Sequence, residues 1–147
     1  PGPLKHQTIR LSFQYQKQYP LDMSRPAFIN LMSLPRGLRG IFGEQLSMIS
    51  ADYVFPLLYP DLEIGPLLYV QRIRGALWGD FLSGTNVIVR EPNPHYEDKS
   101  YATLGFDLVA DVNVLRISFP ISLGGRFIYD RDRQDWWVEG IFSVDIN

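Results

Sequence analysis

Apolar and polar residues alternate along most of the chain with the period of two that a half-buried β-strand requires. Between Thr8 and Gln16, every second side chain is apolar and the intervening ones are polar. Five further stretches show a similar alternation, and none shows the period of an amphipathic helix. We therefore predict an all-β protein. The six predicted strands are Thr8–Gln16, Glu44–Phe55, Leu67–Asp80, Tyr101–Asp111, Leu115–Tyr129 and Trp136–Ile146.

The connections between the predicted strands differ in length. Tyr19–Phe42 and Phe81–Ser100 contain many Pro, Gly, Asn and Asp residues, which predicts two long loops. The stretch from Pro56 to Pro66 predicts a shorter turn, Val112–Val114 a very short one, and Asp130–Asp135 a charged loop. Because short connections join antiparallel neighbours, we expect one antiparallel meander sheet.

The predicted strands are long. They hold about 10–14 residues, whereas strands of globular proteins usually hold about 5–6 and a tilted membrane-spanning strand needs about 9–11. Transmembrane barrels also alternate short periplasmic turns with long extracellular loops. We therefore predict that residues 1–147 form part of a transmembrane β-barrel.

The polar positions of the predicted strands carry most of the strand charges. A barrel in lipid needs this arrangement, with an apolar outer wall and a polar inner wall. Aromatic residues at the strand ends, namely Tyr101, Tyr129, Trp136 and Trp137, predict an interfacial girdle. The predicted inner-wall charges are Asp52, Arg72, Arg74, Asp80, Asp107, Asp111, Arg116, Arg126, Glu139 and Asp145.

The same alternation fits a second class of protein. A soluble, lipocalin-like barrel has the identical period, but turns its apolar side chains inward to bind an apolar ligand. Periodicity alone leaves both interpretations open.

Composition narrows the possible functions. The chain has 147 residues, which indicates one domain, and a net charge of −2 without a basic run, which argues against a nucleic-acid partner. The absence of cysteine excludes disulfides, thiolate metal sites and a thiol nucleophile. No apolar run reaches the length of a spanning helix. The chain opens with Pro1 and carries no signal peptide, so we expect a processed protein or a piece of a longer one.

No pattern of residues predicts catalysis. His6 and His95 are far apart and lie beside predicted loops, so we expect both at the surface. The glycines at Gly37, Gly40 and Gly43 precede no helix that would bind a phosphate. We therefore predict a protein that is not an enzyme and has no cofactor or metal site.

Several short motifs resemble the C-terminal half of the barrel in the Omp85 superfamily, the surface-antigen family of outer-membrane assembly proteins. Pro35-Arg36-Gly37-Leu38 is similar to the motif at the tip of that family's long sixth loop, with Leu38 in place of an aromatic residue. Ser50–Leu57 resembles a strand that ends in an acid-Tyr-x-Phe-Pro-Leu pattern, and Trp78-Gly79-Asp80 resembles the next strand. Later strands keep the family's order, and details are closest to barrels of Bacteroidetes-type bacteria.

The resemblance implies a function and a location. The protein would be an integral barrel in the outer membrane of a Gram-negative bacterium, acting in protein assembly, translocation or surface display, with its C-terminus in the periplasm. Its long loop would fold into the barrel, where Arg36 and Gly37 would meet the inner wall at Asp80. The implied partners are outer-membrane lipid, lipopolysaccharide and other outer-membrane or periplasmic proteins.

Six strands do not close a membrane barrel, because the smallest such barrels have about eight. We therefore expect the remaining strands to come from the same polypeptide or from another chain. Gly140 lies in the last predicted strand. It either weakens pairing at a seam between strands or relieves crowding beside Trp136 and Trp137.

Overall fold

A computed structural model of the protein describes residues 6–19, 31–65, 68–89, 95–114 and 121–144. These residues form β-strands joined by turns and irregular segments. No helix long and apolar enough to cross a membrane occurs in these parts of the chain. The strands are β1 (Thr8–Lys17), β2 (Gly43–Leu58), β3 (Leu62–Ile64), β4 (Leu68–Val89), β5 (His95–Val114), β6 (Ile121–Asp130) and β7 (Asp135–Val144).

All of these strands belong to one antiparallel sheet. Its order is β1-β2-β4-β5-β6-β7, and the short strand β3 pairs with the beginning of β4. The predicted all-β antiparallel meander is therefore confirmed. The sequence analysis missed β3, which occupies part of the predicted turn between Pro56 and Pro66.

The predicted long loop Phe81–Ser100 is wrong over most of its length. β4 continues to Val89 and β5 begins at His95, and the two strands remain paired up to these residues. The Gly, Ser and Asn residues of this segment suggested a loop, but the hydrogen bonds between the strands hold it extended. A register shift between Gly84 and Val87 accommodates the irregularity.

The predicted short turn at Val112–Val114 is also wrong. These residues are the end of β5 and pair with Leu68–Val70 of β4, so the partner strand extends them beyond the predicted end. β6 begins at Ile121. The preceding predicted strand residues 115–120, which include Arg116, lie outside the described residues.

The two faces of the sheet differ in chemistry. Strand alternation and the observed register place apolar side chains on one face across the whole sheet, and we call this the apolar face. Its large side chains remain exposed; Leu11, Trp136 and Phe142 have 74%, 70% and 70% of their surface accessible. The exposed side chains are Ile9, Leu11, Phe13, Tyr15, Ile49, Leu77, Phe81, Leu104, Leu108, Leu123, Phe127, Tyr129, Trp136, Val138, Phe142 and Val144.

The opposite face, which we call the polar face, is concave and contains most of the buried residues. A cleft of about 340 Å³ is lined by residues of both edge strands, including Arg10 of β1 and Ile141 of β7. In a flat sheet these strands would lie about 24 Å apart, at roughly 4.8 Å for each strand interval. The sheet therefore curls around the polar face, as strongly twisted sheets do.

Residues 31–42, which we call the strap, cover one end of the polar face. Leu38 and Ile41 of the strap pack with side chains of β2 and β4 in a buried apolar cluster. Leu46 and Leu82 are fully buried there. The strap therefore supplies part of the core that the sheet lacks on its own.

Two of the four predicted girdle residues lie on the wrong face. Tyr129 and Trp136 are cross-strand partners on the apolar face. Tyr101 instead packs against the buried cluster under the strap, and Trp137 lies on the polar face beside Glu139. Neighbouring residues of a strand point to opposite faces, and Tyr101 and Trp137 occupy positions of the alternation that face the polar side.

Candidate functional site

The strap is fixed to the sheet by side-chain amides of β1. The Gln16 Oε1 atom accepts hydrogen bonds from the backbone N–H groups of Leu31 at 2.8 Å and Met32 at 3.2 Å. The Gln14 Oε1 atom accepts one from the N–H of Ser33 at 2.9 Å. Gln14 and Gln16 share the polar face because they are two residues apart in one strand. They satisfy backbone donors that the strap cannot pair internally.

Arg36 is the central residue of the site. Its Nε and Nη2 atoms donate to Asp80 Oδ2 and Oδ1 at 2.9 and 2.8 Å, which makes a bidentate ion pair. Its backbone N–H also donates to Asp80 Oδ2 at 2.9 Å. The remaining Nη1 atom donates to Asp52 Oδ1 at 2.5 Å. One arginine therefore joins the strap to β2 and β4 simultaneously.

The surroundings favour the charged form of Arg36. Burial opposes the charge, but the hydrogen bonds to Asp80 and Asp52 outweigh burial and raise the pKa of Arg36 above its usual value. The guanidinium carbon also lies 4.2 Å from the centre of the Trp78 ring, a cation–π contact. The Asp80 side chain is only 1% exposed, so its carboxylate depends on the strap for its counter-charge.

Two glycines allow the strap and the indoles to approach closely. Gly37 has a φ of +82°, and a Cβ atom there would overlap the ring of Trp137 and lie 3.1 Å from Ile128. On the sheet, Trp78 lies across Gly105, its cross-strand partner. A Cβ atom at Gly105 would collide with the Trp78 ring and with the carbonyl oxygen of Phe127. These positions require glycine for space.

A second ion pair continues the polar face toward β6. Arg126 donates to both carboxylate oxygens of Asp107, at 2.9 and 2.8 Å. The Trp78 Nε1 atom donates to the same carboxylate at 2.8 Å. Trp78 therefore lies between the Arg36 and Arg126 guanidinium groups, which are 4.2 and 5.6 Å from its ring centre. The two ion pairs form one connected network.

A third group of charges lies at the other end of the polar face. Arg72 donates to Asp111 Oδ2 at 2.7 Å, and the Ser122 hydroxyl donates to Asp111 Oδ1 at 2.7 Å. Arg74 has only longer contacts, 3.5 Å to Asp111 and 3.4 Å to Ser122. Its Nε atom is buried and has no hydrogen-bond partner among the described residues.

The structure places the predicted site residues in three groups. Arg36, Gly37, Asp80 and Asp52 come together at the strap, although the sequence analysis paired Arg36 with Asp80 alone. Asp107 belongs to the ion pair with Arg126, and Arg72 and Arg74 belong to the Asp111 group. Arg116 lies outside the described residues.

Sequence reasoning missed Gln14 and Gln16 as anchors of the strap and the indole of Trp78 as a contact of both arginines. The alternation in the sequence already places these three residues on the polar face. Their contacts depend on the path of the strap, which no local pattern encodes.

The arrangement holds a loop against a sheet, and its charges are largely occupied in doing so. Among the described residues, no three His, Asp or Glu side chains come together in a way that could hold a metal ion. The site therefore offers structural fixation and a charged concave surface.

Comparison with known proteins adds no relative. No protein-family model, no curated protein and no solved structure matches the chain. The function must therefore be argued from the geometry of the sheet and the strap.

The Arg36–Asp80 ion pair predicts a large effect of substitution. We expect Arg36→Ala to lower the free energy of unfolding by about 3–5 kcal/mol, because it leaves the buried Asp80 carboxylate without a counter-charge. Chemical unfolding of the full-length protein measures the change. Arg39→Ala is the matched control, since Arg39 is an exposed arginine of the same strap, and we expect a change within about 0.5 kcal/mol.

A double-mutant cycle tests the pair itself. Arg36→Ala and Asp80→Ala together should destabilise the protein by clearly less than the sum of the single changes. Additive effects would show that the two residues do not interact energetically.

The contact between Trp78 and Gly105 predicts a second effect. Gly105→Ala should destabilise the protein by about 1–3 kcal/mol, because the rigid indole and the Phe127 carbonyl must move. Gly140→Ala is the control, since a Cβ atom there meets nothing within 4 Å. Equal effects of the two changes on the thermal unfolding midpoint would contradict this account. The open space at Gly140 also shows that the predicted relief of crowding beside the tryptophans is wrong.

Proposed function

We propose that this sheet is one sector of an outer-membrane β-barrel of the Omp85 type. Its role would be non-catalytic, in the assembly or translocation of outer-membrane proteins or in scaffolding a surface complex. The observation that carries the proposal is the uncovered apolar face. Contiguous apolar surface on this scale marks a membrane or interaction surface, because soluble monomers rarely expose it.

The height of the apolar face supports a lipid environment. It extends from the level of Phe81 to the level of Val144, which correspond to Ala102 and Val112 along β5. These levels are about 33 Å apart along the strand, at roughly 3.3 Å for each residue. With the usual strand tilt of about 40°, the face is about 25 Å tall, as in known membrane barrels.

The border of the face supports the same proposal. Immediately beyond the Phe81 level, the outward cross-strand row consists of Tyr15, Ser47, Ser83 and Ser100, so serines replace the apolar side chains of β2, β4 and β5 there. Between the two levels, the described residues place no charged side chain on this face. A charge at that depth would be costly in lipid.

The polar face and the strap support the barrel type. A barrel in lipid directs its polar residues toward the interior, where water or a folded loop can satisfy them. The strap lies on this concave face and is fastened there by Arg36. This arrangement agrees with the Omp85-like resemblance of Pro35–Leu38 and of Trp78-Gly79-Asp80.

The proposal includes an orientation and partners. The strap, the β4–β5 hairpin and the β6–β7 turn leave the sheet at one end, and β7 finishes at the other. We assign the strap end to the cell surface, next to lipopolysaccharide, and the end of β7 to the periplasm. Other outer-membrane or periplasmic proteins would meet the barrel at these two rims.

The edges of the sheet imply further strands. β1 and β7 each pair on one side only within the described residues. Unpaired backbone groups cannot face lipid, so the proposed barrel needs additional strands from the same polypeptide or from another chain.

The alternative of a lipocalin-like binder requires the apolar side chains to enclose a ligand. In the structure these side chains lie on the convex face, and half of the residues that line the concave cleft are charged, namely four arginines and two aspartates. No observation therefore favours an apolar ligand inside the curve of the sheet.

Membrane partition is the direct test of the proposal. We expect the natural full-length protein to fractionate with outer membranes, and its unheated form to migrate faster than the heated form on a gel. A detergent-independent soluble protein would overturn the proposal.

A substitution on the apolar face tests lipid contact. In lipid, Leu77→Arg should destabilise the barrel by about 2–4 kcal/mol, because Leu77 lies near the middle of the apolar face. In water the same change should cost within about 0.5 kcal/mol, because Leu77 is already 50% exposed. Leu31→Arg is the control; Leu31 is 88% exposed but lies in the strap, outside the apolar face. Equal effects of the two changes in liposomes would argue against a lipid-facing sheet.

A further inference from the structure

The cleft on the polar face has an excess of positive charge. Its lining includes the arginines Arg10, Arg36, Arg74 and Arg126 but only two carboxylates. Both carboxylates are engaged within the wall: Asp52 accepts from Arg36, and Asp107 accepts two hydrogen bonds from Arg126. Two of the arginines are therefore not neutralised inside the cleft.

Arg10 is the more available of these two arginines. It is exposed and lies on the polar face opposite Asp52, and its side chain makes no hydrogen bond or ion pair within the described part of the chain. Asp52, its cross-strand neighbour, is held by Arg36 instead. The Arg10 guanidinium therefore keeps its donors free for a ligand.

Arg74 is the second available arginine. Its nearest carboxylate, Asp111, is already bound by Arg72 at 2.6 Å and by Ser122 at 2.7 Å, which leaves Arg74 at 3.5 Å. The Arg74 side chain is 38% exposed, so its guanidinium still reaches the cleft. A buried donor without a partner is unfavourable, and a bound anion would offset part of that cost by pairing with the guanidinium charge.

We propose that this cleft binds a phosphate group, with Arg10 and Arg74 as its ligands. Guanidinium groups match the oxygens of phosphate in charge and geometry, and a concave, partly desolvated wall strengthens the attraction. A volume of about 340 Å³ is at the lower end of the range for small-molecule sites and accommodates a phosphate with a small substituent.

The lining limits the kind of molecule that can carry the phosphate. Apart from the charged residues, the cleft wall consists of small or medium side chains such as Ala76, Val109 and Ile141, with no long apolar channel for an acyl chain. The phosphate group of a free solute and that of a soluble lipid headgroup share the same chemistry, so both belong in the experiment.

The experiment is calorimetric titration of the full-length protein in detergent, at low ionic strength, with inorganic phosphate and, separately, with glycerophosphoethanolamine. We expect binding of at least one ligand. Arg10→Gln and Arg74→Gln should each weaken that binding about 10-fold or more, the loss expected for one charge-assisted hydrogen bond. Which ligand binds more tightly identifies the source.

The control is Arg133→Gln, which removes the same charge from an exposed side chain in the β6–β7 turn. The affinity of this variant for the ligand should equal that of the unmodified protein. Arg10→Lys keeps the charge but loses the planar, bidentate donor geometry of the guanidinium. We therefore expect an affinity between those of the unmodified protein and Arg10→Gln. Because Arg10 is exposed, its variants should fold, and the heat-modifiable gel shift checks this in each sample.

Absence of binding of both ligands at millimolar concentration, or equal weakening by Arg10→Gln and Arg133→Gln, would overturn the inference. The cleft belongs to the concave face and does not depend on what covers the apolar face. A failure of phosphate binding would therefore leave the membrane proposal intact. A soluble protein that binds phosphate would overturn the membrane proposal and support the phosphate site.

Discussion

The buried carboxylate of Asp80 is the constraint on which the arrangement of the strap depends. It lies in the middle of a long strand, almost completely shielded from water, and only an opposite charge makes that burial tolerable. Arg36 provides this charge from a segment that has no regular secondary structure of its own. The path of the strap follows, and with it the position of Leu38 and Ile41 in the buried cluster.

The sequence predicted the strands because alternation is a local property that survives in the folded sheet. It also predicted which side chains share a face: Asp52, Asp80 and Asp107 do lie on one wall. The pairing register of the strands then determines which of these side chains are in contact. Ser50 pairs with Asp80, whereas Asp52 lies opposite Trp78, so the two aspartates are diagonal neighbours that one guanidinium can bridge. Parity alone could not reveal this geometry.

The errors in the strand boundaries have one physical origin, which is that strand ends are decided by the neighbouring strand. Between Phe81 and Ser100 the composition favours loops, yet each strand supplies hydrogen-bond partners for the other. The same holds at Val112–Val114, which Leu68–Val70 keep extended. Trp137 illustrates a different limit, because its position near Gly37 depends on a strap that approaches from far away in the sequence.

The unequal lengths of β5 and β6 have a consequence for motion. From Thr103 to Val112, β5 is paired on both sides, but from His95 to Tyr101 it pairs with β4 alone, because β6 turns away after Asp130. One continuous strand thus has a half that is paired on both sides and a half that forms the edge of the sheet, where β4 remains paired with β2 up to Val87. Amide protons in the doubly paired half exchange with solvent only when the sheet opens, whereas the edge half can lose its pairing with β4 while the rest of the sheet stays closed. The outer half of β5 can therefore fray while the strands beside it stay in place.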